Sequence, residues 1–188
     1  MQLPVLAIDP GTTESAFIIW DGARPLEFGF LANQDLLDKL RNWESNGPPM
    51  YIEMMETHGM APVGQSTFQT ATWIGRFLED WSIYGYPWHL VSRTQIRTHH
   101  CHSSRAKDPN VRQALIDKYG PIGLKKTPGP LYGISKHIWS ALAIASYAVE
   151  AKIECSSQIS SSKPHEAKPQ HSDRANRKGK PGGADAKD

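Results

Sequence analysis

Residues 3–21 read LPVLAIDPGTTESAFIIWD. The run 3–9, LPVLAID, is apolar until its terminal acid, and 15–20, SAFIIW, is apolar after its first serine. Pro10, Gly11, Thr12 and Thr13 separate the two runs, and Asp21-Gly22 closes the second. Short continuous apolar runs bounded by turn residues read as buried strands. The stretch therefore predicts a hairpin whose first strand ends on a carboxylate.

The flanking chain extends this pattern into a sheet with helices. Residues 26–31, LEFGFL, alternate as a third strand. Residues 34–44 carry Leu36, Leu37, Leu40 and Trp43 at helical spacing, with Asn33 or Asp35 as the candidate cap. Residues 45–49 break that helix, and MYIEMM at 50–55 is a fourth strand. After a loop at 59–64, Phe68, Ala71, Ile74, Phe77, Leu78 and Trp81 mark an amphipathic helix over 67–81. WHLV at 88–91 is a fifth strand. Asp108 as N-cap and Pro109 at the first helical position open a helix that turns Val111, Leu115 and Ile116 inward, ends at Tyr119 and stops at Gly120. A last helix runs from Ser135 to about Lys152 with Ile138, Leu142, Ala145 and Val149 on one side. Three antiparallel strands followed by strands separated by helices predict a mixed five-stranded α/β sheet with helices on its faces.

The 188 residues allow roughly one domain of ordinary size. Composition changes after Cys155. The segment 156–188 has Ile159 as its only large aliphatic residue and no aromatic one, so it cannot bury enough surface to order itself and is expected to be a disordered tail. Its seven basic and four acidic residues give it +3, which leaves −1 for the domain over 1–155 out of a total of +2. A flexible basic tail suits either loose polyanion binding or simple solubility. Cys101 and Cys155 are too few for a disulfide framework. No apolar run approaches the roughly 18 residues of a membrane span, and no signal-peptide pattern is present. A cytoplasmic protein is expected.

Two acids sit where apolar strands should be. Asp9 ends the first strand, and Glu53 stands inside MYIEMM, with Glu56 three residues on. Burying a carboxylate unpaired is costly. A salt bridge or turn cap is the ordinary explanation for either acid alone. Two of them on strands of one small sheet suggest a shared hard cation, since Mg²⁺ takes carboxylate oxygens and retains waters. A pair of such ions about 4 Å apart clamps a phosphodiester displacement. The last helix adds His137 and Ser140, three apart and so on one helical face. Taken alone, a histidine beside the alanines at 141, 143 and 145 is more often a satisfied core or surface residue than a ligand.

Together AIDPGTTESAFIIWD, YIEMME and KHIWSALAIASYA resemble the RuvC family of Holliday-junction resolvases, within the ribonuclease H-like superfamily, over about residues 3–150. SSRAKDPNVRQALIDKYG resembles the segment before the last helix in phage-type members. The resemblance implies a metal-dependent endonuclease of DNA recombination and repair. Such enzymes cut branched DNA, usually as homodimers that nick a four-way junction symmetrically. It places Asp9 and Glu53 as ligands of Mg²⁺, with Mn²⁺ able to substitute. His137 falls on the first acid of the family's D-x-x-D-A-L-A helix motif, which makes it a ligand or catalytic residue. Ser140 falls on the second acid, and Glu56 is a candidate to replace that acid.

Cations for DNA phosphates are expected from Arg93, Arg97, Arg105 and Lys107, between the fifth strand and the next helix, where a solvated loop is the plain alternative. Lys125, Lys126 and Lys136, ahead of the last helix, complete the set. The loop 54–64, with Met54, Met55, Gly59 and Met60, is a candidate wedge against unstacked bases. Most of the tryptophans fall at core spacing. The free face of the 67–81 helix is a candidate contact for a second subunit. His99-His100-Cys101-His102 lacks the distant second ligand pair of a structural zinc site. Asp9 to Thr13 also resemble the phosphate loop of actin-like ATPases, but the chain is too short for their two lobes. A junction-binding protein without catalysis, and a related nuclease acting on hybrids or forks, are the remaining alternatives.

Overall fold

The computed structural model describes residues 4–43, 46–56 and 63–151. The expected tail at 156–188, Cys155, and Gly59 and Met60 of the expected wedge lie outside them. The chain runs β1 (Val5–Asp9), β2 (Glu14–Trp20), β3 (Pro25–Ala32), α1 (Asn33–Arg41), β4 (Met50–Met54), α2 (Gln65–Ile83), β5 (Trp88–Ser92), α3 (Arg93–Cys101), α4 (Asp108–Tyr119), β6 (Gly123–Leu124), β7 (Thr127–Pro128) and α5 (Ile138–Glu150). The main sheet has the order β3-β2-β1-β4-β5. β1, β2 and β3 pair antiparallel, whereas β1–β4 and β4–β5 are parallel. This is the mixed five-stranded sheet the apolar runs predict.

Strand alternation divides the core in two. Val5, Ala7, Ala16, Ile18, Trp20, Tyr51 and Val91 face one side and pack with α5, Ile96 of α3, and Val111 and Leu115 of α4. Leu6, Ile8, Phe17, Ile19, Met50 and Ile52 face the other, beneath Leu36, Leu37 and Leu40 of α1 and Ile74, Phe77 and Trp81 of α2. Buried alanines at 141, 143, 145 and 148 let α5 lie close on the sheet. The helix can thus bring its N-terminal end down to the strand ends. Among the described residues, no helix is long and apolar enough to cross a membrane.

Several local expectations are corrected. Residues 93–101 form α3 rather than loop, opened by a capping box between Ser92 and Gln95. The N-cap of α1 is Ala32, and the Asn33 side chain is committed elsewhere. Lys107, not Asp108, caps α4. α5 begins at Ile138 rather than Ser135, because Ser135–His137 form a turn whose carbonyls accept from Ile138 and Ser140. On α2 the buried stripe is Thr70, Ile74, Phe77 and Trp81, whereas Phe68 is 63% exposed. The β6–β7 hairpin, with Lys125 and Lys126 at its turn, gives no periodic signal because it is only two residues deep.

At the far end of α5 a polar cluster ties three helices together. Glu150 accepts from Ser146 Oγ at 2.7 Å and Tyr119 Oη at 3.1 Å, and pairs with Lys118 and with His99 at 3.1 Å. His100 reaches the Ala143 carbonyl at 2.9 Å. These contacts occupy two members of the histidine–cysteine run. Burial alone would raise Glu150, but the hydrogen bonds from Lys118, Ser146 and His99 outweigh it and hold its carboxyl at about 2. A depressed carboxylate adds stability above its unfolded pKa, and that stability fades as pH falls through the folded value. Glu150→Gln should therefore lower stability at pH 7 by on the order of 1 kcal/mol, allowing for solvent screening. In thermal melts, the gap from wild type should narrow between about pH 4.5 and 2.

Candidate active site

The parallel register pairs Ile8 with Ile52, so the next residues, Asp9 and Glu53, lie side by side at the carboxyl ends of β1 and β4. Asp9 also pairs with Ala16, Ala16 with Phe30, and Glu53 with Val91. One row of side chains thus crosses the sheet on the α5 face: Phe30, Ala16, Asp9, Glu53, Val91. Asp9 and Glu53 are 8% and 9% exposed, at the rim of an open cavity of about 410 Å³ that Glu14, Thr12, Arg93 and His137 also line.

Each carboxylate has one charged or chargeable partner. Arg93 Nε donates to Glu53 Oε1 at 2.7 Å, and His137 Nδ1 lies 3.2 Å from Asp9 Oδ2. The imidazole sits over the gap left by Ala16 and stacks on Phe30, with ring centroids 5.7 Å apart and planes 12° from parallel. Only a small residue at 16 leaves space for a ring between Asp9 and Phe30. The turn before His137 is strained, because Lys136 adopts φ 46° without being glycine.

The turn between β1 and β2 forms the cavity lip and is braced from below. Gly11 N–H donates to Ser15 Oγ at 3.2 Å, Ser15 Oγ donates to Asn33 Oδ1 at 2.6 Å, and Asn33 Nδ2 donates to the Gly11 carbonyl at 3.0 Å. A side chain at Gly11 would run into the Glu14 carbonyl. Ser15 and Asn33, both buried, and Phe30 are the residues sequence reasoning missed. A polar pair at a strand start and a helix start was the available signal.

Burial is the main force raising Asp9, the Glu53 charge adds to it, and His137 and Arg93 oppose it. The net effect takes the carboxyl to about 6. Among the described residues, no three His, Cys, Asp or Glu side chains form a ready metal cluster. Two neighbouring carboxylates at an open cavity, Asp9 among them well above an ordinary aspartate, nonetheless suit a hard cation, which commonly takes one or two protein carboxylates and completes its shell with water and phosphate. His137 stands beside Asp9 and is 65% exposed.

The other expected site residues are dispersed. Ser140 lines a separate chamber of about 40 Å³, which Glu53 and Arg93 also border. His137 and Ser140 therefore open onto different cavities. Glu56 accepts from Thr94 Oγ1 at 3.1 Å and does not line the large cavity. Arg93 and Arg97 are held in ion pairs with Glu53 and Asp108. Arg105, Lys107, Lys125, Lys126 and Lys136 are exposed, with no ion pair among the described residues.

No family model matches the chain, and no curated protein matches it in sequence. Solved structures do match. The Thermus thermophilus RuvC structure is 18% identical, with 78% of this chain and 93% of that one covered and a TM-score of 0.56. T. thermophilus RuvC in complex with Holliday junction substrate is 16% identical, with 79% and 93% covered and a TM-score of 0.57. This likeness establishes a RuvC-like fold.

The raised Asp9 has a consequence for stability. Its folded pKa lies above the unfolded one, so the folded state binds the extra proton and loses stability as pH rises from about 4 to about 6. Asp9→Asn should stabilise the ion-free protein at pH 8 by on the order of 2 kcal/mol and flatten that pH dependence. Thermal melts in EDTA across this range would show it.

Proposed function

We propose that the chain is a metal-dependent, structure-specific endonuclease that hydrolyses phosphodiester bonds in branched DNA, with four-way junctions as its substrate. The observation that carries this reading is the side-by-side placement of Asp9 and Glu53, buried at the lip of an open cavity. The RuvC-like fold supports it, since one matching structure is that of RuvC with a Holliday junction substrate. The domain is taken as 1–155 and the protein as a homodimer, so that two sites can act on two strands.

Asp9 and Glu53 would hold Mg²⁺, or Mn²⁺ in its place. Such an ion, when bound, lowers the pKa of water and stabilises charge on phosphate oxygens. The chain's own residues do the rest. With Asp9 ionised, His137 Nδ1 donates to it, which fixes the tautomer and leaves Nε2 as an acceptor at the cavity. Phe30 holds the ring in that orientation. His137 Nε2 can then take a proton from an attacking water or, once protonated, return one to the departing oxygen. Arg105, Lys107, Lys125, Lys126 and Lys136 are exposed cations suited to flanking phosphates.

A second reading, junction binding without cleavage, draws on one observation: Ser140 contributes a hydroxyl where a further acid would strengthen metal binding. A single assay separates the readings. The protein is incubated with a four-way junction, a fork, an RNA–DNA hybrid and linear duplex, in Mg²⁺, Mn²⁺ or EDTA. Paired nicks on the junction, reduced roughly hundredfold or more in D9N and E53Q, are expected. Retention of the junction on gels without cleavage in either metal supports the binding protein instead.

The nuclease reading also carries a pH dependence. Asp9 must be ionised to hold the cation, so cleavage should rise as pH passes upward through about 6 at low Mg²⁺. The midpoint should move to lower pH as Mg²⁺ increases, because cation and proton compete for one carboxylate. A midpoint indifferent to Mg²⁺ would place the titrating group elsewhere.

A further inference from the structure

The small chamber beside the site is lined by charge. Arg93, Arg97 and Arg112 surround it with Ser140, Glu53 and Asp108. Its volume is about 40 Å³, against about 410 Å³ for the large cavity. Arg97 pairs with Asp108 at 3.0 Å, and Arg112 lies 4.7 Å over the Trp139 ring.

Arg93 is held in place by the fold. It is the first residue of α3, directly after the capping box at Ser92, and Val91 of β5 is the register partner of Glu53. Its Nε therefore meets Glu53 Oε1 at 2.7 Å, while the side chain stays 41% exposed and lines the large cavity.

We infer that this site takes one divalent cation, between Asp9 and Glu53, and that Arg93 supplies a fixed positive charge in place of a second ion. The inference rests on the nuclease reading above. A second ion about 4 Å from the first needs its own anionic ligands. On the Ser140 side of Glu53 it would meet three arginine side chains and a neutral serine, and the further carboxylate there, Asp108, is already paired with Arg97. Glu53 is accordingly shared: Oε1 accepts from Arg93, and Oε2 is left for the cation. Because guanidinium is charged at all working pH values, its contribution does not depend on metal concentration. The donors it does not direct at Glu53 are available to a phosphate oxygen at the cavity.

Counting bound Mn²⁺ on the full chain, by electron paramagnetic resonance and calorimetry with Tm recorded in parallel, tests this directly. One tight ion per wild-type chain, lost in D9N, is expected. Arg93→Gln should bind Mn²⁺ about tenfold more tightly, since a competing charge near the ion is gone, while its junction cleavage falls. Arg93→Lys, which keeps the charge, should return Mn²⁺ affinity to near the wild-type value. A merely structural role for Arg93 predicts no tightening. Two tight ions per wild-type chain overturn the inference and leave the nuclease reading standing. No bound Mn²⁺, or binding unaffected by D9N, overturns that reading and the inference with it. Mn²⁺ binding in R93Q no tighter than in wild type removes Arg93 from the account. If R93Q proves unfolded by its Tm, the wild-type count and the R93K affinity decide.

Discussion

Two carboxylates side by side beneath a helix repel each other, and the chain is arranged around that repulsion. The β1–β4 register forces Asp9 and Glu53 together, and neither is exposed enough for water to screen them. Each is met by a group delivered from another element, His137 from the turn before α5 and Arg93 from the start of α3. The compensation is incomplete, since burial and Glu53 together still hold Asp9 well above an ordinary aspartate. Removing charges from water costs several kcal/mol per ion even after relaxation. Hydrophobic residues of similar size would stabilise the same strand ends better. An arrangement that opposes stability and opens onto a cavity is better explained by what it can bind.

The surrounding structure serves to hold that arrangement. α5 can approach the sheet because its buried side is largely alanine, and His137 reaches Asp9 because Ala16 leaves room beside Phe30. The left-handed backbone at Lys136 is a local strain that persists because the turn on one side and α5 on the other fix the residue's neighbours. The hairpin lip is tied through Ser15 and Asn33 to the start of α1, so its position depends on packing on the opposite face of the sheet.

Much of this was legible in the residues. Apolar runs ending in or interrupted by acids identified β1 and β4 and the two carboxylates, because burial leaves a compositional trace that charge breaks visibly. Helical spacing located α1, α2, α4 and α5. α3 escaped because its only buried residue is Ile96, which gives no period to detect, although Ser92 and Gln95 spell a capping box. The pairing of Arg93 with Glu53 could not be read either. It depends on β5 lying next to β4, a tertiary fact, and in the sequence Arg93 is one more cation in a basic stretch. The separation of Ser140 from His137 follows from where α5 begins. A helix from Ser135 puts both on one face, whereas a helix from Ile138 leaves His137 at the cap.

That correction changes how the basic residues divide. Arginines 93, 97 and 112 are turned toward carboxylates or an aromatic ring, where a planar guanidinium can pair and stack without losing its charge. The exposed cations on loops are mostly lysines: Lys107 at the start of α4, Lys125 and Lys126 at a hairpin turn, and Lys136 before α5, with Arg105 among them. A flexible ammonium on a loop follows a phosphate that moves, whereas a locked guanidinium defines a fixed point of charge. The near-zero net charge of the domain therefore conceals two populations of cations, one paired or stacked and one with no ion pair among the described residues. Affinity for DNA should accordingly depend mainly on the exposed loops, and the number of bound ions on the arginines beside Glu53.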